Sequence, residues 1–318
     1  MKIAWFRPLL VLLTAAALGA SAQDNLRILG PAEPEAGYST TARAVAKAMT
    51  ASGAAKTAET WYAPGKGGLV GLTRFAKEAR GDGAQLMVTG FTTLNSIVIN
   101  KSPVTLDDVT PIARLTADVP YAFVVRAEVP VRTAQELAAM LKADPSKVAW
   151  VAGSVGGAGH TATVMFAILS GVDPTRLNFT TSLGGTAVET LLTAKATVAV
   201  ASSPETYEKH VKEGRLRIVG VTSPQRRPEI DAPTFSEQGI PLVFENWRGL
   251  VAPPGITAEQ RQRLSAAVDR MARSDAWKRI LEENKWGDAY LGGAAFEQFL
   301  AEERTKVERA HRLASGVK

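Results

Sequence analysis

The residues that could carry chemistry are concentrated in one glycine-rich stretch, residues 148–163. Its sequence runs from the apolar segment VAWVA through GSVGGAG to HTAT, an order that predicts a strand, a turn and a helix that begins near Gly159. Glycine lets the backbone approach a ligand closely, and the N–H groups and positive dipole end of a helix N-terminus attract an anion. We interpret this stretch as half of an anion-binding site.

The same stretch also resembles a nucleophile motif. Ser154 stands in AGSVG, which is one residue short of the GxSxG elbow of serine hydrolases. Such an enzyme needs a histidine and an acid from later loops, but His160 is too close in sequence, and His210 and His311 fall within predicted helices. We therefore predict no catalytic residues, and an exported serine hydrolase that uses Ser154 stays open as the alternative.

The sequence predicts neither a cofactor nor a metal site. Residues 157–162 match the dinucleotide pattern GxGxxA, yet no acidic residue ends the next predicted strand, residues 177–180, so a bound dinucleotide is not expected. The histidines are separated by fifty residues or more, and the chain contains no cysteine. These spacings do not match the close ligand pairs of a structural metal cage.

Residues 1–22 have the features of a signal peptide. Lys2 and Arg7 form a basic start, residues 9–18 form an apolar core, and the sequence ASA that ends at Ala22 forms a cleavage site. The apolar core is too short for a transmembrane helix. We therefore expect an exported protein that is cleaved after Ala22. Because it lacks cysteine, disulfide bonds and lipidation of an N-terminal cysteine are excluded.

The exported chain has only a small excess of positive charge. Without residues 1–22, the 35 basic and 31 acidic residues give a formal charge of +4, and the basic residues are spread among acids along the predicted helices. A nucleic-acid surface requires a basic cluster, so we expect no nucleic-acid partner. The excess could still steer anionic ligands toward the protein.

Two runs of alternating strands and helices must position these residues. The first has predicted strands at 26–29, 57–62 and 85–89 and helices at 39–51 and 69–79. The second has apolar or strand-like runs at 120–126, 148–152, 177–180, 197–201 and 216–221 and helices at 133–142, from 159, at 186–193 and at 204–213. A proline-rich segment, an apolar run and helices follow, at 224–241, 242–251 and onward to the C-terminus. This alternation predicts an α/β fold with mostly parallel sheets, in which ligands bind beside the carboxyl ends of the strands.

Short strings along the whole mature chain resemble the substrate-binding receptors of tripartite tricarboxylate transporters, the TctC or Bug family. They are PAEP at 31–34, GY at 37–38, TAR at 41–43, PGKGG at 64–68, GDG at 81–83, TPIARL at 110–115, the loop 153–161, SLGG at 182–185 and NWRGLVAPP at 246–254. The resemblance depends on the order and spacing of these strings together, since none of them is decisive alone.

The resemblance implies a type II, two-lobed periplasmic binding protein of the Venus-flytrap kind, in which each lobe is a mostly parallel sheet flanked by helices. The first lobe would comprise residues 24–126 and 244–318, and the second lobe residues 127–243, with a hinge around Arg126 and Phe244. Such a receptor is a monomer that closes on a small carboxylate, a di- or tricarboxylate or related organic acid. It delivers this ligand to the permease subunits of a tripartite tricarboxylate transporter; a co-receptor for a membrane sensor stays open as an alternative.

By the same resemblance, ligand-binding residues are expected in both lobes. The first lobe would supply Ala36, Gly37, Tyr38, Ser39, Thr40, Thr89 and Thr92. The second lobe would supply Ser154, Gly156, His160, Thr161, Gly184, Gly185 and Ser202. Trp247 is added as a cleft candidate because its neighbours in the sequence are polar, although an aromatic residue on a strand is more often part of the core.

The chain departs from the family pattern where many relatives carry glycine or aspartate. Glu35 and Ala36 stand at glycine positions, and Ser39 stands at an aspartate position, where it can still cap the following helix. A carboxylate at position 35 would repel a polyanion or pair with a ligand amine if it faced the pocket. Alternatively, Glu35 points into solvent, which is the more common position of a glutamate.

Overall fold

The chain forms two mixed sheets with flanking helices. The computed structural model describes residues 23–314 except 118–119, 154, 156, 183–186, 203 and 229. The elements before the first crossover are β1 (Gln23–Gly30), α1 (Gly37–Ala51), β2 (Ala55–Tyr62), α2 (Leu69–Glu78), β3 (Gln85–Gly90), α3 (Phe91–Ile99) and β4 (Thr110–Ala117). Within this described part of the chain, no helix combines the length and the apolar character that crossing a membrane requires.

A second set of elements builds the other lobe, and the chain then returns to the first. The second lobe contains β5 (Ala122–Arg126), α4 (Ala134–Ala143), β6 (Ala149–Ala152), α5 (Ala158–Leu169), β7 (Asn178–Thr181), α6 (Ala187–Leu192), β8 (Val198–Ala201), α7 (Pro204–Lys212) and β9 (Leu216–Val221). The returning segment contains β10 (Trp247–Ala252), α8 (Ala258–Ala272), α9 (Asp275–Asn284), β11 (Gly287–Gly292) and α10 (Gly293–Ala314).

The two sheets share an arrangement of five strands, and the first sheet has β11 as a sixth strand at its edge. The first runs β11-β4-β10-β3-β1-β2 and the second β7-β6-β8-β5-β9. In each sheet, three parallel strands of one βαβ series stand beside an antiparallel strand that comes from another part of the chain, β10 in the first sheet and β5 in the second. Eight of the eleven described strands point the same way within their sheet, four of six in the first and four of five in the second, so the expectation of mostly parallel sheets is confirmed. Of the nine strand pairs among the described residues, four are parallel, because the crossing strands enter each sheet in the opposite direction.

The boundary between the lobes lies earlier than the sequence indicated. Strand β5 was expected to end the first lobe at Arg126, but it pairs with β8 and β9 and so belongs to the second sheet. The Arg126 guanidinium donates to the carbonyls of Leu191 and Ala196, at 3.0 and 2.7 Å, which fixes this residue within the second lobe. The chain first crosses between sheets after Ala117 and returns before Trp247. Arg126, which was expected at the hinge, therefore lies inside the second sheet, at the end of β5 that is farther from the crossover.

Two elements differ from their sequence-based assignments. Helix α3, which was not among the predicted helices, begins directly after β3 at Phe91, whose side chain is 1% exposed and anchors the first turn in the core. The last part of the chain was expected to be helical throughout, whereas β11 interrupts it and pairs antiparallel with the edge of β4. An edge strand such as β11 is difficult to predict from its own residues, because it is stabilised by pairing with a strand that is distant in the sequence.

The two crossovers are joined by backbone and aromatic contacts. Thr222, fully buried, accepts a hydrogen bond at its Oγ1 from the N–H of Tyr121 at 3.0 Å, and its own N–H donates to the carbonyl of Tyr121 at 3.0 Å. The N–H of Phe244 donates to the carbonyl of Thr222 at 2.9 Å. The Phe244 ring then packs on Tyr121 and, edge to face, on Phe91, with ring centroids 5.7 and 4.7 Å apart. Phe244, which was expected at the hinge, therefore lies where the two crossovers contact each other.

We expect the Thr222→Val substitution to destabilise the protein by about 1–3 kcal/mol, because it leaves the buried N–H of Tyr121 without its acceptor. Thr116→Val is a matched control, since Thr116 is equally buried but its hydroxyl makes no hydrogen bond among the described residues. Denaturant unfolding followed by circular dichroism should show a loss of stability for the first variant and none for the second. Equal losses in both variants would contradict a structural role for the Thr222 hydroxyl.

Candidate functional site

An open cavity of about 450 Å³ lies at the carboxyl ends of the first strands. Its walls are the loop between β1 and α1, the loop between β2 and α2, the first turn of α3 and the start of β10. The lining residues are Pro31, Ala32, Glu33, Ala36, Gly37, Tyr38, Pro64, Gly65, Lys66, Gly67, Gly68, Thr92, Asn246 and Arg248. This is the position at which α/β sheets bind ligands.

The N-terminus of α1 opens into this cavity without a side-chain cap. The helix begins at Gly37, and the preceding Ala36 is extended and offers no side chain that could accept from the first N–H groups. The first turn also contains no acidic residue. Backbone N–H groups and the positive end of the helix dipole are thus presented to the cavity, which is the arrangement that attracts a carboxylate.

Ser39 has a different role from the helix cap that the sequence indicated. The helix starts two residues before it, so Ser39 lies inside the first turn, where its hydroxyl donates to the carbonyl of Ala32 at 3.0 Å. Gly30 permits this packing, since a Cβ at this position would lie 2.7 Å from the Cα of Ser39. Ser39 therefore shapes the loop that lines the cavity, and its fully buried side chain does not reach the ligand space.

Tyr38 connects α1 to α3 at the floor of the cavity. Its hydroxyl accepts hydrogen bonds from the N–H of Thr93 at 3.0 Å and from the Thr93 hydroxyl at 3.3 Å. Burial raises the pKa of Tyr38, although the hydrogen bonds from Thr93 and the charge of Arg248 act in the opposite direction. The phenol therefore remains neutral and polar near neutral pH.

The opposite lip of the cavity is a loop with an unusual backbone. Residues 65–68 all have positive φ, at 130° for Gly65, 47° for Lys66, 61° for Gly67 and 101° for Gly68. Glycine adopts these angles without steric cost, whereas Lys66 is held in the left-handed region by its neighbours. Successive residues of this kind can turn their N–H groups toward one concave side, as in anion-binding nests.

Arg248 is the second cation that lines the cavity, and it is fixed in place. Its Nη1 donates to the Thr41 hydroxyl at 3.1 Å, and its guanidinium carbon lies 5.3 Å from the centre of the Trp286 ring, a cation–π distance. Gly37 makes room for the guanidinium, because a Cβ there would lie 3.2 Å from Nη2. The charged fork therefore lies against the first turn of α1.

Glu35 lies away from the cavity. Its side chain is 93% exposed and its carboxylate lies 3.8 Å from Nη2 of Arg43, so of the two alternatives given by the sequence the structure favours the solvent-exposed one. The carboxylate that does line the cavity belongs to Glu33, which is exposed. Glu35 is therefore not positioned to repel a polyanion in the cavity.

The second-lobe candidates are distributed differently from those of the first lobe. Ser154, Gly156, Gly184 and Gly185 lie outside the described residues. Ser202 is half-buried just beyond the end of β8 and does not line the 450 Å³ cavity.

His160 and Thr161 lie at the contact between the lobes. The half-buried His160 ring packs edge to face on Phe179, at 4.6 Å between ring centres. It also lies close enough to His311 on α10 for the two rings to interact electrostatically. The buried Thr161 donates to the carbonyl of Gly157 at 3.1 Å and borders a narrow crevice with Phe91.

Trp247 is a core residue in this structure, which corrects its assignment to the cleft. The side chain is 1% exposed, its ring packs on Phe296 and Phe299, and its Nε1 donates to the Glu303 carboxylate at 3.1 Å. The polar neighbours in the sequence reflect the alternation of side chains along β10, which buries Trp247 and turns Arg248 toward the cavity.

Of the other first-lobe candidates, Ala36, Gly37, Tyr38 and Thr92 line the cavity, whereas Thr40 and Thr89 do not. Thr89 is fully buried in β3. Sequence reasoning missed Lys66, Arg248 and Asn246 as lining residues. The glycines around Lys66 and the polar residues around Trp247 could have indicated these lining residues. However, only the fold shows that the loop at residues 64–68 and the start of β10 line the same cavity.

Acid is expected to weaken the contact between the lobes through His160 and His311. Burial lowers the pKa of His160, and the neighbouring His311 lowers it further; burial also lowers the pKa of His311. Groups with a depressed folded-state pKa stabilise the protein above their unfolded pKa of about 6.5, and this contribution is lost as the pH falls below that value. The melting temperature of the wild type should therefore fall between pH 8 and pH 5.5.

The fall should be smaller in the double variant His160→Gln/His311→Gln than in the wild type. His210→Gln serves as the control, because this histidine lies on α7 beside Glu213, away from the other two. Differential scanning fluorimetry across this pH range measures the difference. An equal pH dependence in the wild type and the double variant would show that other groups cause it.

The chain is similar to a curated protein in sequence and to solved structures in fold. A curated relative from Cupriavidus necator, the UPF0065 protein in the gbd 5′ region, is 28% identical over 193 residues, which are 60% of this chain and 57% of that protein. Among solved structures, a TctC solute-binding protein from Polaromonas, without ligand, is 24% identical, with a TM-score of 0.77 over 91% of this chain and 98% of that one. MatC from Rhodopseudomonas palustris, with bound malate, is 21% identical, with a TM-score of 0.66 over 90% and 98% of the two chains.

These structural similarities show that the two-sheet architecture is that of a two-lobed periplasmic binding protein. The family assignment comes from the sequence itself, since the TctC family model, described as the tripartite tricarboxylate transporter family receptor, matches residues 42–313. That match covers both lobes and the returning segment. The chain therefore belongs to the TctC family and is a solute-binding receptor of that type.

Proposed function

We propose that this receptor captures a small carboxylate, a di- or tricarboxylate or a related organic acid, in the cleft between its lobes. It then delivers the ligand to the membrane permease subunits of a tripartite tricarboxylate transporter. The observation that carries the proposal is the uncapped N-terminus of α1, which opens on a 450 Å³ cavity lined by Lys66 and Arg248. The malate bound to MatC, a protein of the same fold, supports a carboxylate as the ligand.

The first lobe binds one carboxylate mainly through its backbone. The N–H groups at Gly37 and Tyr38 donate to the ligand oxygens, as is common at helix N-termini, with water as a further bridge. The loop at residues 64–68 closes the other side of the cavity, and Thr92 adds a hydroxyl. Hydrogen bonds to a charged acceptor are stronger than neutral ones, so a carboxylate is favoured over an amide in this position.

In this proposal the second lobe completes the cleft with residues that precede α5 and α6 in the sequence. Among them are Ser154, Gly156, Gly184 and Gly185, which we propose as ligand residues together with Ser202. Helix α5 follows Gly157, which likewise provides no side-chain cap. Closing of the lobes about Tyr121, Thr222 and Phe244 would bring the two uncapped helix N-termini to opposite sides of one anion. We propose no catalytic step.

The N-terminal sequence is the basis for the proposed cellular location of the protein. Residues 1–22 act as a signal peptide that is removed after Ala22, and the mature receptor is a monomer in the periplasm. In that compartment it can collect ligand at low concentration and present it to the permease. Mass spectrometry of the protein purified from the periplasmic fraction would test the cleavage position, with Gln23 as the expected first residue.

The carboxylate proposal is tested with mature protein that has been unfolded and refolded to remove carried-over ligand. Isothermal titration calorimetry should give saturable binding of dicarboxylates such as succinate and malate and none of the neutral succinamide. A ligand at one hundred times its Kd should add about 2.7 kcal/mol to the free energy of unfolding, and small-angle scattering should show a smaller radius of gyration.

Absence of binding and compaction across a broad carboxylate panel would overturn the proposal. Turnover of acyl esters that disappears in Ser154→Ala would instead establish the hydrolase alternative. Transport is measured separately, in proteoliposomes that contain the permease subunits, where uptake of labelled ligand should require the added receptor. Ligand binding without receptor-dependent uptake would favour a membrane sensor as the partner.

A further inference from the structure

The first-lobe cavity contains more positive charge than one carboxylate needs. The α1 N-terminus can satisfy one carboxylate through its backbone N–H groups. Among the described residues, two cationic side chains, those of Lys66 and Arg248, and one carboxylate, that of Glu33, line the same cavity. Since Glu33 is exposed, its negative charge is largely screened by water.

Arg248 is held more rigidly than an ordinary surface arginine. It stands on β10, which is hydrogen-bonded on both sides in the interior of the first sheet, with Arg248 opposite Gly90 on β3 and Thr116 on β4. The hydrogen bond to Thr41 and the face of Trp286 then restrict the side chain. A guanidinium that is already ordered loses little conformational entropy when it binds a ligand, and its planar fork matches a carboxylate.

Lys66 contributes in a complementary way. It is exposed, and it stands among glycines on the lip formed by residues 64–68. Its flexible methylene chain lets the ammonium group, which acts as a point charge, reach anionic groups on ligands of different length. The guanidinium of Arg248 is fixed at one wall, and the ammonium of Lys66 can move at the opposite lip. Together they suit ligands in which the distance between the two anionic groups varies.

We infer that Arg248, assisted by Lys66, forms a side-chain subsite for a second anionic group, so that the receptor selects dianionic over monoanionic acids. This inference rests on the proposed function, because it assumes that the first carboxylate binds at the α1 N-terminus. It assigns to Arg248 a role in ligand specificity in addition to its contacts with Thr41 and Trp286. The subsite recognises negative charge and leaves the rest of the ligand to other residues.

The experiment compares ligand pairs of equal length that differ only in the second group. Succinate is paired with its monoamide succinamate, and glutarate with glutaramate, and each Kd is measured by isothermal titration calorimetry. The wild type should bind each dianion about 10- to 100-fold more tightly than its monoamide, the range expected for a charged hydrogen-bonded contact. In Arg248→Gln this ratio should collapse to within about threefold of unity.

Further variants test whether a loss of the dianion preference comes from the loss of the subsite or from a general disturbance of the folded protein. Arg248→Lys keeps the charge and loses the fork, so it should restore part of the ratio. Lys66→Gln should lower the ratio by less than Arg248→Gln, because its ammonium is exposed and screened. Lys101→Gln is its matched control, since Lys101 is also exposed with φ of 47° but lies outside the cavity. Arg74→Gln, which removes another arginine stacked on a tryptophan, is the control for Arg248.

The outcomes distinguish this inference from the proposed function. If the wild type binds none of the four acids or other carboxylates, the proposed function fails and the inference with it. If the wild type binds dianion and monoamide equally, or if Arg248→Gln weakens both equally and keeps the ratio, the inference is overturned while carboxylate binding stands. Arg248 would then be a structural support for α1. A loss of the ratio in the Lys101 or Arg74 control would also overturn it.

Discussion

The return of β10 into the middle of the first sheet is the constraint on which the rest of the structure depends. The strand stands between β3 and β4, so the two halves of that sheet meet only through it. Its alternation places the Trp247 ring in the core against Phe296 and Phe299 and sends Arg248 to the cavity wall. One short strand therefore both joins the two halves of the first sheet and supplies a charged residue to the cavity wall.

The cavity offers an anion two kinds of electrostatic attraction that differ in reach. The backbone at the start of α1 acts over a short distance, because the effect of a helix dipole falls off within the first turn. The side chains of Lys66 and Arg248 act over a longer distance and depend on salt. The small positive charge of the mature chain adds a weak, general attraction for anions. Glu35 takes no part in this field, since Arg43 lies beside it and water surrounds it.

Much of the fold could be predicted from the sequence, because local patterns carried it. The βαβ alternation, the start of α5 near Gly159 and the position of the cavity-lining loops beside strand ends all follow from periodicity and turn residues. The sequence could not show that β5 and β10 enter their sheets antiparallel, that β11 completes an edge, or that Trp247 is buried, since these depend on distant partners. For the same reason Lys66 and Arg248 were missed, as they become neighbours of one cavity only when strands far apart in the chain are paired.

The strand order also imposes an order of assembly. The second sheet is built from one uninterrupted stretch, residues 122–221, whereas the first cannot join β3 to β4 until residues 247–252 have been synthesised. As the chain leaves the ribosome, its N-terminal strands therefore wait for a partner that emerges more than one hundred residues later. Domains generally fold as units once their elements are present. The first sheet is therefore completed later than the second, although its first strands are synthesised earlier.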